Sequence, residues 1–470
     1  MMDKLILLIW LWSLFTTSNE PIKESTVSVT GVPSTSISNP VAIMESGSFN
    51  IDILADSLMN CNDCHDDILK SEVVHAPDKK DCMRCHVSKG VEHPIEAQAT
   101  FKLKKKVPKL CYECHDPKTE KEFVHGPTGE GNCLLCHDIH NSKNMYLVKK
   151  DPVSDLCYEC HDLKIPEGNM VHGAITNGNC TGCHNPHDAD NAEFMNTSKL
   201  DRLCRKCHRP LRKEFKLDYL HSPFEKKDCF SCHNGHSSKE AHLSDIKTEK
   251  LCLDCHEDTH TEINESKTVH GAINKGKGCL NCHKPHGSKN VNILVGTEKE
   301  VCLSCHDKDI DGINGSILAI SPSLKEGNVL HGPVALSQCS VCHKPHASNE
   351  LKLLTMKYPL EQYSVATVDN FSLCFHCHED ELFESPTTVS ATNFRDGNKN
   401  LHYIHIRGNR GRNCNLCHDM HGGENKHMIK KYAMYGNWKM PIKFEFTDKG
   451  GSCQTGCHEK LEYERGDLQD

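Results

Sequence analysis

Aromatic residues supply only 6% of this 470-residue chain and apolar residues of all kinds only 37%. That is too little to fill the interior a chain of this length normally builds. Mean hydropathy is −0.56. Beyond residue 15 no apolar run approaches the roughly 20 residues that a membrane-crossing helix needs. Charge of one sign is also lacking: 55 Lys and Arg stand against 64 Asp and Glu, for a net −9. The strongly basic face of a nucleic-acid-binding protein is therefore missing, and nucleic acid is not an expected partner. What the chain has in excess is cysteine (30) and histidine (34). A core this poor in hydrocarbon needs disulfides, metals or a cofactor to supplement it.

The first residues address the compartment. Lys4 precedes an apolar run over 5–15, followed by the small residues Thr16, Thr17 and Ser18. This is the pattern of a secretory signal peptide over 1–18, and an uncleaved anchor is the alternative. Residues 19–58 are rich in Ser, Thr, Val and Pro without periodicity and read as a flexible leader. The mature chain is expected outside the cytoplasm, without a stable membrane span.

Every cysteine falls into a pair, and every pair is followed at once by histidine. Fourteen pairs read C-x-x-C-H. They are Cys61/Cys64/His65, Cys82/Cys85/His86, Cys111/Cys114/His115, Cys133/Cys136/His137, Cys157/Cys160/His161, Cys180/Cys183/His184 and Cys204/Cys207/His208. The others are Cys229/Cys232/His233, Cys252/Cys255/His256, Cys279/Cys282/His283, Cys302/Cys305/His306, Cys339/Cys342/His343, Cys374/Cys377/His378 and Cys414/Cys417/His418. The fifteenth, Cys453/Cys457/His458, has three intervening residues, and no cysteine is left over. C-x-x-C-H is the attachment signature of c-type haem. On one helical turn the two cysteines project to the same side and can form thioethers to the two vinyl groups, while the next residue lies beneath the ring and offers a proximal nitrogen to iron. A disulfide framework gives no reason for a histidine after every second cysteine. Structural zinc needs closed sets of four ligands and likewise has no use for that adjacent histidine. Fifteen covalent haems c are the expected cofactors.

The motifs repeat in doubled units. First motifs begin at Cys61, Cys111, Cys157, Cys204, Cys252, Cys302 and Cys374, so the early period is 46 to 50 residues. An apolar residue (Leu110, Leu156, Leu203, Leu251, Val301, Leu373) precedes the first motif in six units. Asp81, Asn132, Asn179, Asp228, Gly278, Gln338 or Asn413 precedes the second, and most of these residue types favour helix N-caps. Short helices bearing the motifs are the expectation, joined by Gly, Pro and Asn-rich loops.

Nineteen histidines remain, most of them in register. One set (His75, His125, His172, His221, His270, His331, His405) lies seven to nine residues before the second motif. Another (His140, His187, His236, His286, His346, His421) lies three residues after that motif's own histidine. In the first unit Lys89 takes that place and His93 is the nearest substitute. Two extra histidines per two haems is the count for bis-histidine ligation, so both sets are expected as distal iron ligands, with His93 among them. His427 completes the distal set, with His402 as the alternative sixth ligand for the fifteenth haem. His242 shares a register with Tyr146 and reads as a packing residue, and His376 lies inside a motif as an incidental residue. Methionines show no such register, and histidine in place of methionine points to low potentials.

The V-H-G elements at Val124–Pro127, Val171–Ala174 and Val269–Ala272, with C-H-x-P-H at Cys183–His187, Cys282–His286 and Cys342–His346, resemble those of multihaem cytochromes c with doubled C-x-x-C-H motifs. Thr392–Gly397, Asn400–His405 and Gly450–His458 look closer to a bacterial subgroup. The resemblance spans roughly 59–470 and implies respiratory electron transfer, in the periplasm or at the cell exterior of a bacterium. Other redox proteins, an outer-membrane porin–cytochrome conduit or an extracellular acceptor are the partners it implies.

The expected fold is mostly irregular with few short helices and little β: an elongated, haem-cored array of repeats. Residues 59–350 hold six doubled units, 351–427 an expanded seventh, and 428–470 a terminal segment with the last motif. Within that segment Ile442, Phe444 and Phe446 alternate with Lys443 and Glu445, a strand signal. About thirty residues per motif cannot insulate neighbouring macrocycles from one another. An electron carrier rather than an enzyme follows, with no catalytic residue. The rival readings are a reductase with one open iron, and a filament or electron store. Haem propionates would add to the net negative charge, favouring basic partner patches, and clusters such as Lys102–Lys106 read as solvated or propionate-paired.

Overall fold

The computed structural model describes residues 61–466 except 77–80, 164, 167–168, 313–314 and 409. The chain divides into two units, 1–61 and 62–470. The expected signal peptide and leader lie outside the described residues. Among those described, no helix is long and apolar enough to cross a membrane.

Local structure follows the doubled motifs. Most first motifs sit at the end of, or within, a short helix: Val153–Cys157, Leu200–Cys204, Thr248–Leu253, Glu298–His306 and Ser372–Phe375. The apolar residue before the first cysteine packs inward from this turn, and Leu203 is 6% exposed. Second motifs are tighter, on single 3-10 turns such as Cys82–Arg84, Cys133–Leu135, Cys180–Gly182 and Cys339–Val341. The expected side-chain caps are absent at Asp81, Asn132, Asn179, Asp228 and Gln338. Their ψ angles of 48° to 75° fall short of the extended backbone from which a cap reaches the next turn's amides. Only Asn413, at ψ 147°, caps as expected, accepting from the Asn415 amide.

Two-residue antiparallel strands join each unit to the next. Val73–Val74 pairs with Asn141–Ser142, Phe123–Val124 with Asp188–Ala189, and Met170–Val171 with Ser237–Ser238. The pattern continues with Tyr219–Leu220 on Gly287–Ser288, Thr268–Val269 on Ala347–Ser348, and Val329–Leu330 on Gly422–Gly423. These clamps are among the most buried places in the repeats: Ala189 and Ala347 are fully buried and Ser238 and Ser288 nearly so. At Gly422 a Cβ would come within 2.7 Å of the Leu330 side chain and the Ser323 carbonyl, so the close strand approach there requires glycine.

Among the described residues, two packed apolar clusters of buried residues are found, both late in the sequence. Ala366, Phe371 and Phe383 form one. Leu416, Ile429, Ala433, Met440 and Ile442 form the other, against a terminal antiparallel sheet. That sheet runs in the order β1 (Tyr432–Tyr435), β2 (Trp438–Phe446), β3 (Gly450–Thr455), β4 (His458–Glu464). The anticipated strand over 441–446 lies inside β2, where Met440 and Ile442 are buried and Lys443 and Glu445 exposed. Four strands exceed the little β expected. The fifteenth motif also departs from the helical-turn expectation: Cys453 is on β3, His458 starts β4, and Cys457 lies in the turn between them. The extra intervening residue suits a hairpin, with a register shift between Cys453 and Thr455.

Candidate haem-binding sites

Each attachment motif is set by its own backbone. In most, the histidine amide donates to the carbonyl of the first cysteine four residues back, at 2.9 to 3.1 Å. All thirty cysteines are free.

The two cysteines of a motif are not enclosed alike. Cys64 and Cys114 are exposed, and so are Cys160, Cys207, Cys255, Cys305 and Cys377, the second cysteines of the later first motifs. Cys457 of the fifteenth motif joins them, whereas every other cysteine is half-buried. In units two to seven the first cysteine of a first motif lies close to another thiol of its own unit, while the second is the exposed one. Arg84 of the preceding motif reaches Cys114, its Nη2 donating to the sulfur at 3.5 Å.

Histidine rings from different motifs face one another across the repeats. His75 faces His115, His125 faces His161, His172 faces His208, His221 faces His256, His270 faces His306 and His331 faces His378. In the second set His140 faces His86, His187 faces His137, His236 faces His184, His286 faces His233, His346 faces His283 and His421 faces His343. His93 faces His65 and His405 faces His458. Ring centroids in these pairs are 5.8 to 6.4 Å apart. A metal–imidazole bond is about 2 Å long, so two rings on opposite sides of one iron have centroids about 6 Å apart. The spacing and the donor set fit haem iron.

The pairing explains irregularities that the sequence left open. A histidine three residues after a second motif faces the second motif of the preceding unit: His140 belongs with His86, not with His137. In the first unit the corresponding place is Lys89, and among the described residues no earlier motif lies before it. Its first motif is met instead by His93, whose Nδ1 lies 2.6 Å from the Thr100 hydroxyl. Among the described residues, no histidine ring stacks opposite His418 as in the other pairs. His402 lies beside it, buried, with its pKa pushed down to about 3 by burial and then by the charge of His418. His402 Nδ1 lies 2.9 Å from the Thr392 hydroxyl.

The placement of His427 among the distal ligands is corrected. Its carbonyl accepts from His418 Nδ1 at 2.9 Å, the ring edge opposite Nε2, and its own ring lies 5.6 Å from Phe446. His427 belongs to a recurring loop position that sequence reasoning missed. Nine residues after a second-motif histidine, a backbone carbonyl accepts from that histidine's Nδ1: Tyr146 for His137, Glu193 for His184, His242 for His233, Asn292 for His283 and Lys352 for His343, at 2.8 to 3.0 Å. Two successive left-handed residues bring the carbonyl round, as at Tyr146 and Leu147 (φ 59° and 57°) and Lys352 and Leu353 (φ 57° and 55°). The contact favours the tautomer with the proton on Nδ1, which leaves the Nε2 lone pair free, as a metal ligand would require. No residue type marks the position, because a carbonyl does the work. The shared register of Tyr146 and His242 was the available signal.

The clamps tie the histidines of the two registers to one another. The His75 amide donates to the His140 carbonyl at 2.8 Å, and the same bond recurs from His125 to His187, His172 to His236, His221 to His286, His270 to His346 and His331 to His421. Burial pushes His187, His236, His331, His346 and His421 below the ordinary imidazole range, which favours the neutral ring that a metal needs. An unfolded histidine protonates near pH 6.5, whereas these resist. Their contribution to stability is full above that pH and is lost as pH falls below it towards the folded values. The thermal midpoint should therefore drop between about pH 7 and about pH 5, and a midpoint flat across that range in a scanning-calorimetry pH series would contradict this.

Cysteines connect successive motifs. First-position thiols lie close together across a unit: Cys111 and Cys133, Cys157 and Cys180, Cys204 and Cys229, Cys252 and Cys279, Cys302 and Cys339, and Cys374 and Cys414. Between units the neighbours include Cys85 and Cys111, Cys136 and Cys160, Cys183 and Cys207, Cys232 and Cys252, Cys282 and Cys305, Cys342 and Cys377, and Cys417 and Cys457. From the second motif to the fifteenth, each site thus adjoins the next in chain order.

No curated protein matches the chain. The family described as "Doubled CXXCH motif" matches residues 75–120, 125–165, 172–213, 221–261, 270–311 and 331–382, more than half of the sequence. Each matched segment opens on a histidine and closes just beyond the motif histidine that it faces, so the family's repeat contains both rings of one facing pair. The chain belongs to this family of multihaem c-type cytochromes, which bind haem covalently and carry electrons.

Proposed function

We propose that the chain binds fifteen haems c, each between two histidines, and passes electrons along them outside the cytoplasm. The observation that carries this reading is the combination of histidine rings facing across about 6 Å with cysteine pairs that adjoin the next motif. The thirty cysteines of the motifs supply the thioethers. His65, His86, His115 and the histidine of every later motif are the proximal ligands, and the facing rings, with His402 opposite His418, are the distal ones. Haem, when bound, supplies one-electron redox chemistry. The chain's own residues hold the iron from both faces, fix the ring tautomers through backbone carbonyls, and set neighbouring sites close enough for electrons to cross. Bis-histidine ligation favours low potentials over those of methionine-ligated sites.

Signal-like residues 1–18 and the redox chemistry of this family support an extracytoplasmic setting in a bacterial respiratory chain, with export to extracellular acceptors as one route. The acidic surface favours partner redox proteins with basic docking patches, and association should weaken as salt rises.

A reductase would need a proximal histidine with no ring opposite. Facing rings at fourteen of the fifteen motifs, with buried His402 beside His418 at the remaining one, support a carrier instead. Carbon monoxide tests the choice: the reduced wild-type protein should bind almost none, and stoichiometric binding at one haem would make the reductase reading the correct one.

A further inference from the structure

One site differs from the rest in what holds its distal ring. At most sites with a resolved contact, the second ring nitrogen meets a neutral group, a backbone carbonyl or a threonine hydroxyl. His172 meets the Gly235 carbonyl at 3.1 Å and His270 the Pro345 carbonyl at 2.8 Å. His286 instead donates from Nδ1 to the Glu214 carboxylate at 2.7 Å. Phe224 stacks on the same ring, centroids 4.6 Å apart and planes 17° apart, and Phe215 backs Phe224 at 4.1 Å. Arg205 closes the cluster over Phe215.

This clamp turns the ring. The planes of His233 and His286 make an angle of 60°. Ring planes at the other facing pairs lie within 9° to 36°, except at the terminal pair His405 and His458, where the angle is 52°.

We propose that Glu214 is a positioning residue that lowers the potential of the site between His233 and His286, placing a low-potential step inside the array, while Phe224 holds the turned ring. The inference rests on the bis-histidine reading above. A carboxylate accepting the Nδ1 proton makes the imidazole a stronger electron donor, which favours ferric over ferrous iron. The effect is graded along the chain. Glu262 occupies the same place six residues after a first-motif histidine, but sits 3.6 Å from His346 Nδ1 and shares its charge with Lys344 at 3.4 Å. At 3.6 Å it acts by charge and not through a hydrogen bond.

Paramagnetic resonance of the oxidised, fully loaded protein during stepwise reduction tests this. Turned ring planes give strongly anisotropic low-spin signals, and the wild type should show two, from this site and the terminal one. Phe224→Leu should collapse one, which identifies it, and that signal should disappear at the lower potential of the two. Glu214→Gln should keep both signals and raise the potential of the identified one by about 59 mV or more, a tenfold change in its reduced-to-oxidised ratio for one electron. Glu262→Gln should leave both signals in place. An unmoved potential in Glu214→Gln with all haems low-spin overturns the proposal. So does the reverse order of the two signals in the wild type, which needs no variant to fold. Missing haems or high-spin iron in the wild type would instead defeat the ligation reading on which it rests.

Discussion

His402→Ala opens one iron: the reduced variant should bind about one carbon monoxide per protein, while His427→Ala should bind no more than wild type. The two histidines divide the roles that the terminal unit requires. His402 is buried beside His418, held by Thr392 and flanked by Phe394 at 5.2 Å. His427 serves His418 through its backbone carbonyl, which alanine retains. Alanine at 402 leaves His418 with no other ring opposite, since every neighbouring distal histidine already faces a different proximal one. Equal carbon monoxide binding by the two variants would mean that the terminal unit is ligated otherwise.

A second large effect is expected from removing a single site in mid-chain. The triple change Cys229→Ala, Cys232→Ala and His233→Ala should lower the haem content from fifteen to fourteen and cut the current that one molecule carries between its ends by orders of magnitude. Cys229 adjoins Cys204 of the preceding motif and Cys232 adjoins Cys252 of the next, so this site joins the two halves of the array. His286 and its clamp to His221 stay in the chain, which limits the damage to folding. Conductance measured on single molecules between electrodes reads the effect directly. An unchanged current would show that the sites are not in single file.

Much of the site was legible because its chemistry is carried by side chains at fixed spacing. Cysteine pairs with an adjacent histidine, and two further histidine sets in register, can be seen without a structure. The pairing between them could not: His140 is three residues from His137 in sequence yet faces His86, because the two-residue clamps bring consecutive units together. Clamps this short have no periodicity to read. Nor does spacing tell that Cys64 and Cys114 are exposed while Cys61 and Cys111 are half-buried, since that depends on which side of the turn the rest of the chain covers. The carbonyls of Tyr146, Asn292 and Lys352 were invisible for a different reason, since any residue supplies a carbonyl and the left-handed turn that delivers it uses no obligatory glycine. His427 misled because a histidine at a place where only the backbone matters looks like a ligand. The terminal strand was readable from its alternation at Ile442 and Phe444, but the full sheet was not, since Tyr432–Tyr435 and Gly450–Thr455 carry no comparable apolar alternation. Asp81 and Asn132 show the opposite error, residues of capping type whose backbone angles do not let them cap.

Intact-mass measurement of the purified protein, combined with haem quantitation and a low-spin spectrum, bears most directly on the central proposition that every thiol pair carries a haem and every haem iron lies between two histidines. The mass should correspond to the chain without its first residues plus fifteen covalent haems, all low-spin when oxidised. A mass showing fewer haems, or thiol pairs closed as disulfides or filled with zinc, would contradict it.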